Sequence, residues 1–283
     1  MRLSPREILL CPVCGAAVDH RPDSLICSGG HRFDAARQGY FNLLTGRGTR
    51  FEADSAGMVE AREEFLAAGY YGPLRDALAA AAVRLAPQSR TVVDAGAGTG
   101  YYLRAVADCF PDAFPVALDI SKFALRRAAR RLPEGVSLVW DVWKPLPLQD
   151  RSVDVLLNVF APRNPAEFAR VLKPDGLLLV VTPQPGHLAE LRKQAVLLQV
   201  PGGKDDDVKR SLAASLTEVE RTRLEYAVDL PPAAVKRAIL MGPAARHYDP
   251  GQLDAVVERL DGHQRVSAAF TVQAFVRASP VHA

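Results

Sequence analysis

Apolar positions change their spacing several times along the chain, and each change predicts an element. Over residues 55–68 they recur at helical intervals, Tyr70-Tyr71-Gly72-Pro73 interrupts them, and a second helix follows over residues 74–85. From there short apolar runs alternate with helical stretches. Strands are predicted at 91–94, 116–119, 137–141, 153–160 and 177–182, with helices at 101–109, 122–131 and 165–172 between them. Such alternation with short loops predicts an α/β fold: a mostly parallel sheet covered by helices on both faces, with ligands bound at the carboxyl ends of its strands. Residues 45–50, rich in Gly, Arg and Thr and without an apolar period, read as a mobile linker. Residues 194–210, with Pro201-Gly202-Gly203 and three aspartates, read as a surface loop. The domains expected are therefore 1–45, a linker with covering helices at 46–85, and the α/β unit at 86–283.

At 283 residues and 48% hydrophobic, the chain can fill one large core and carry an appended module. No apolar run reaches the roughly 18 to 20 residues of a membrane span, which predicts a cytoplasmic protein without a membrane partner. A formal charge of +3 restricts any nucleic-acid surface to a local patch.

Chemistry is densest at the start. Cys11 and Cys14 sit two residues apart in Cys11-Pro12-Val13-Cys14, and Cys27 and His31 form a second pair, the soft and borderline donors that tetrahedral Zn²⁺ takes in a closed structural site. Three clustered cysteines leave one unpaired under a disulfide scheme. A redox C-x-x-C would need a strand before it and a helix after it, whereas Gly15 and Gly29-Gly30 are turn residues.

A second cluster opens the α/β unit. Asp94 ends the first strand, and Gly96, Gly98 and Gly100, with Thr99, form a turn in which glycine permits left-handed backbone and close approach to a ligand. The nicotinamide pattern G-x-G-x-x-G would place glycine or alanine where Tyr101 stands. Asp119, ending the second strand, can accept both ribose hydroxyls of either cofactor. Asp141, beside Trp140 and Trp143, can accept an adenine amino proton. Together these acidic groups and the turn resemble the S-adenosylmethionine-dependent methyltransferases, Rossmann-like in fold. The plainer alternative is a nucleotide turn in which Asp141 and the Asp119-Ile120-Ser121 segment cap helices.

Longer segments sharpen the resemblance. They are the run Gly30-His31-Arg32-Phe33-Asp34-Ala35-Ala36-Arg37-Gln38-Gly39-Tyr40-Phe41-Asn42-Leu43-Leu44, the stretch Gly69-Tyr70-Tyr71-Gly72-Pro73-Leu74, then Asn158-Val159-Phe160-Ala161-Pro162-Arg163-Asn164 and Thr182-Pro183-Gln184-Pro185-Gly186-His187-Leu188. With the zinc motif and glycine turn, they resemble over nearly the whole chain the bacterial 23S rRNA guanine-N1 methyltransferases of the RlmA type, in particular the actinobacterial tylosin-resistance branch. That resemblance implies zinc on Cys11, Cys14, Cys27 and His31, and S-adenosylmethionine against Tyr71, Gly98, Thr99, Thr182 and His187. Tyr71 precedes the sheet, so this role requires the linker helices to fold back over the cofactor. Tyr70 departs from the histidine that relatives often carry there.

The loop after the fourth strand is where target-base residues are expected. Asn158 and Asn164 offer amides to a base edge, and Arg163 can stabilise charge on guanine O6 as N1 loses its proton; the alternative is a turn whose Asn164 caps the next helix. Carbon-5 pyrimidine methylation would require a cysteine nucleophile, and outside the metal motif only Cys109 remains. The expected partner is a 23S rRNA hairpin, whose unpaired guanine everts cheaply, met by Arg32 and Arg37 beside Phe33, Tyr40 and Phe41. The arginines of 122–131 fit a solvated helix face. A small-molecule methyltransferase of the same fold and a non-catalytic zinc-containing RNA-binding protein are the alternatives, and a homodimer is one assembly the chain could form.

Overall fold

The computed structural model describes residues 5–46, 48–193, 203–242, 245–246 and 250–278. An N-terminal sheet of three short antiparallel strands, β1 (Val18–His20), β2 (Ser24–Cys27) and β3 (Arg32–Asp34), precedes β4 (Tyr40–Asn42). Helices α1 (Ala56–Ala67) and α2 (Gly72–Leu85) lead into the α/β unit: β5 (Thr91–Ala95), α3 (Tyr101–Ala107), β6 (Phe114–Asp119), α4 (Lys122–Arg131), β7 (Val136–Val139), β8 (Val153–Val159), α5 (Pro165–Val171) and β9 (Leu172–Pro183). The remainder is α6 (Lys204–Leu212), β10 (Leu216–Leu230), α7 (Pro232–Leu240), α8 (Pro250–Glu258) and β11 (Gln264–Arg277).

These build one eight-stranded sheet in the order β10-β11-β9-β8-β5-β6-β7-β4. Strands β9 through β4 run parallel, while β11 and β10 add antiparallel at the other edge. Alternation along each strand splits the core into two layers. Val92 of β5 packs with residues of α1, α2, α3, α4 and α7, whereas Val93 faces the layer containing Phe168 of α5 and Val208 and Leu212 of α6. Helices on both faces are the arrangement the sequence predicts.

The metal-bearing head is not tethered loosely. Its β4 pairs with β7, Tyr40 opposite Ser137 and Asn42 opposite Val139, so the large sheet extends into the segment expected to form a separate domain. Leu9 bridges Leu148, Leu10 N–H donates to Pro147 O (2.9 Å), and Ile8 and Leu9 are buried beside Leu146 and Leu148. The stretch after it, expected to be mobile, is held at two points: Lys144 Nζ donates to Gly48 O (2.6 Å) and Thr49 Oγ1 to Asp141 Oδ2 (2.7 Å).

Two other expectations change. The third strand ends at Val139, so Asp141 stands in the turn beyond it. The surface loop over 194–210 becomes helix α6 from Lys204, with Asp205, Asp206 and Asp207 in its first turn and Lys209 and Arg210 in its last, each complementing the helix dipole; residues 194–202 lie outside the described residues.

Candidate functional site

In the N-terminal head the four donor atoms of Cys11, Cys14, Cys27 and His31 lie within 4.8 Å of one another. Cys14 Sγ stands 3.6 Å from Cys27 Sγ, and Cys27 Sγ stands 3.4 Å from His31 Nδ1. An ion about 2.3 Å from each sulfur at tetrahedral angles needs sulfurs roughly 3.8 Å apart, so this donor set fits zinc. A Cβ on Gly29 would come 3.2 Å from Cys14 Sγ, which keeps that position small. Burial raises the Cys27 thiol, but the hydrogen bond from His31 and those from neighbouring groups outweigh it and bring it down to about 6. That favours the thiolate a metal requires.

At the carboxyl ends of β5 and β6 the glycine turn and two carboxylates form one unit. Gly96, Gly98 and Gly100 all have positive φ (100°, 55° and 74°). Gly98 N–H donates to Asp119 Oδ2 (2.9 Å) and Ser121 N–H to Asp119 Oδ1 (2.8 Å), fixing the carboxylate that faces the expected ribose. Ser121 also caps α4, as the capping reading of this segment expects, while both Asp119 oxygens keep a side toward the turn. Burial pushes the Asp94 carboxyl well above its usual range and the charge of Asp119 adds to this, while Asp119 itself is raised by burial against the pull of its two backbone donors. Several buried polar atoms here have no protein partner: Asp94 Oδ1, Thr99 Oγ1, Trp140 Nε1 and Asn158 Oδ1. Unpaired buried groups are costly, and Asp94 and Thr99, at the end of β5 and in the turn after it, have theirs available to a polar adenosyl ligand. Asp141 fits the adenine end. Its oxygens accept from Trp143 N–H (3.0 Å) and Thr49, with lone pairs left over.

The expected fold-back of the linker helices is present. Arg62 of α1 pairs with Asp54 (2.6 Å), donates to Met241 O (2.6 Å) and lies 3.7 Å from where a Cβ of Gly98 would stand. Tyr71, at the start of α2, is buried against Phe65 and Phe270, and its hydroxyl meets His187 Nε2 at 3.0 Å across 116 residues of chain. Burial raises the Tyr71 phenol. It also lowers His187, to about 4, with the Arg192 charge contributing. Because Ala269 N–H donates to His187 Nδ1 (3.3 Å), the neutral ring carries its proton on Nε2 and donates it to Tyr71. The tyrosine hydroxyl proton is thereby left for a ligand.

Other candidates sit differently from expectation. Thr182 follows Val181, which faces the Tyr71 layer, so its own side chain points to the opposite layer, where its hydroxyl donates to Asp205 Oδ1 (3.1 Å) alongside Thr271. Asn164 caps α5 by accepting from Glu167 N–H (3.5 Å) and donates to Val142 O (3.0 Å), which leaves little of its amide for a base. Asn158, fully buried, donates to Ala95 O (2.9 Å) and Pro162 O (2.8 Å), so it braces the loop after β8 against β5 and retains only Oδ1 as a free acceptor. Arg163 is half-buried, burial lowers its guanidinium, and among the described residues it meets no carboxylate, only Ala161 O at 3.4 Å. In the head, Tyr40 and Phe41 are core residues of β4 and are not stacking surface, and Arg32 is ion-paired with Asp34 (2.6 Å); Arg37 is exposed. A hollow lined by Arg104, Asp108 and Glu134 lies at the far end of α3, walled by charges that pair with each other and bordered by none of these candidates.

Sequence comparison agrees with both halves of this geometry. Residues 9–46 match the zinc-ribbon family described as "RlmA, N-terminal", and residues 92–176 match the family described as "Methyltransferase domain". A putative 23S rRNA (guanine-N(1)-)-methyltransferase of Micromonospora griseorubida is 47% identical over 92% of this chain and 94% of its own length. The 23S rRNA (guanine(748)-N(1))-methyltransferase of Streptomyces fradiae is 45% identical over 96% and 98%. Among solved structures, a complex of the Haloferax volcanii Trm112 methyltransferase activator with a putative methyltransferase is 20% identical, covers 81% of this chain and 100% of that one, and superposes with a TM-score of 0.54, a likeness of fold.

Proposed function

Because the chain belongs to the family of 23S rRNA (guanine-N1)-methyltransferases, we propose that it methylates N1 of a guanine in a 23S rRNA hairpin loop near the macrolide-binding exit tunnel, conferring resistance to tylosin-type macrolides. The observation that carries this is the reach of the similarity: it spans 96% of the chain, head and catalytic core alike, so the two modules are shared as a unit. S-adenosylmethionine, when bound, supplies the sulfonium methyl. Tyr71, Asp94, Gly96, Gly98, Thr99, Gly100, Asp119, Asp141 and His187 hold it in this reading, and Thr182 contributes through its backbone. In this reading adenine lies at the β7 end, ribose at β6 and the methyl toward β8, where the target enters, an arrangement that the neighbouring order of these strands supports.

Arg163 is the residue of the post-β8 loop best placed for charge stabilisation. A half-buried cation without a carboxylate can hold the negative charge that appears on guanine O6 when N1 loses its proton. Asn158 and Asn164 act by holding the loop that carries it, Asn158 with Oδ1 left to accept. Residues 1–45, with zinc, form the RNA-recognition head, and residues 46–85 cover the cofactor on the domain at 86–283. No helix among the described residues is long and apolar enough to cross a membrane; we place the protein in the cytoplasm, and a homodimer is the assembly to look for by light scattering.

The test is primer extension on 23S rRNA incubated with protein and labelled cofactor, starting with guanine 748, the position in the name of the Streptomyces fradiae relative. A methyl on N1 blocks Watson–Crick pairing and halts reverse transcription. Label without an N1 stop, or label transferred to a small molecule in the absence of RNA, would overturn the reading.

A further inference from the structure

Phe160 sits immediately beyond β8 with φ of 55°, the left-handed region that a bulky L residue rarely occupies. The residue is 44% exposed although its ring neighbours are buried: Phe270 at 5.5 Å and Tyr102 at 6.4 Å. Phe270 in turn touches Tyr71 (4.9 Å) and His187 (4.6 Å). Neither the backbone strain nor the exposure benefits folding, yet the surrounding bonds enforce both. Phe160 N–H is held by Val181 O (3.2 Å), Asn158 clamps the loop on both sides, and Ala161 packs so closely on the glycine turn that a Cβ on Gly96 would lie 2.3 Å from Ala161 Cβ. Strained residues that their surroundings over-determine are found where a ligand is gripped.

The position narrows which ligand. Adenine is expected at the β7 end beside Asp141, whereas Phe160 stands at the end of β8, on the other side of β5, where the methyl acceptor must enter. An everted base is read by stacking on aromatic surfaces. We propose that Phe160 is the stacking platform of the acceptor subsite, its exposed ring face covering the plane of the everted purine while Asn158 fixes the platform's tilt. This rests on the methyl-transfer reading above and adds the residue that selects a flat base. The sequence marked Asn158, Arg163 and Asn164 in this loop and passed over the aromatic between them.

Three variants test it, each measured by initial rates on a 23S rRNA hairpin transcript and by calorimetric titration with S-adenosylmethionine. Phe160→Leu keeps apolar bulk and loses the ring; it should bind cofactor like wild type and lose roughly ten- to a hundredfold in kcat/KM for RNA, the range expected for one stacked base. Phe160→Trp should retain activity within about threefold. Phe160→Gly relieves the left-handed backbone, so its Tm should hold or rise while turnover collapses, a split that a packing role would not produce. Phe160→Leu turning over like wild type, Leu and Trp falling equally, or Phe160→Leu losing cofactor affinity would each overturn the subsite and leave the methyl-transfer reading standing. A wild-type protein that leaves no N1 mark on the hairpin would overturn both.

Discussion

His187 offers a quantitative check on the Tyr71 contact. Burial holds its imidazole near 4, against about 6.5 in an unfolded chain. Between those values the unfolded state binds a proton that the folded ring does not, so acidification favours unfolding through this residue. The contribution is fully present above about pH 6.5 and is lost as pH falls toward 4. From pH 7 to pH 5 the loss amounts to about 2 kcal/mol. His187→Gln keeps an amide that can donate to Tyr71 and removes the titration. Urea unfolding of both proteins at pH 7, 6 and 5 isolates the effect, because Asp94, Asp119 and Glu218 titrate alike in each. The wild type should lose about 2 kcal/mol more than the variant. Parallel stability profiles would mean that His187 is solvated and that its bonds to Tyr71 and Ala269 do not persist.

Four further outcomes are expected. Arg163→Ala should lower kcat on saturating RNA by roughly ten- to a hundredfold with little change in cofactor affinity; unchanged turnover would remove its electrostatic role. Gly96→Ala places a methyl group 2.3 Å from Ala161 Cβ at a φ of 100°, so it should cost roughly 1 to 3 kcal/mol in urea unfolding and weaken cofactor binding in calorimetry. Burial raises the Asp94 carboxyl above its unfolded range, so its ionisation opposes folding as pH rises; Asp94→Asn should therefore be at least as stable as wild type at pH 8, and a less stable variant would mean that burial does not penalise the native carboxylate. Chelation should release about one zinc per chain by elemental analysis and open residues 9–46 to protease.

The alternation of β5 through β9 with their helices could be read directly because each buried strand is a short apolar run and two of the helices start at a capping side chain, Ser121 for α4 and Asn164 for α5. The metal set was equally plain, since two short-range pairs fix four donors. The antiparallel edge was not. In β10 half the side chains face solvent, and Glu220, Arg221, Arg223 and Glu225 hide the apolar alternation of Leu224, Tyr226 and Val228. Residue identity also could not reveal which way a side chain points at a strand end. Thr182 and Asn164 have suitable groups for a site, but strand parity turns one to the far layer and a helix cap engages the other. The pairing of Tyr71 with His187, by contrast, joins two residues that resemblance alone had nominated separately.

The pairing of β4 with β7 has a consequence for solubility. A parallel sheet left open at β7 would present a row of unsatisfied backbone donors and acceptors, a template for pairing with other chains. Tyr40 to Asn42 shield that row and directly follow the segment anchored through the metal head. Loss of zinc therefore endangers more than a recognition surface: it uncovers an adhesive border on the catalytic core, and metal-stripped protein should precipitate before its methyltransferase half unfolds.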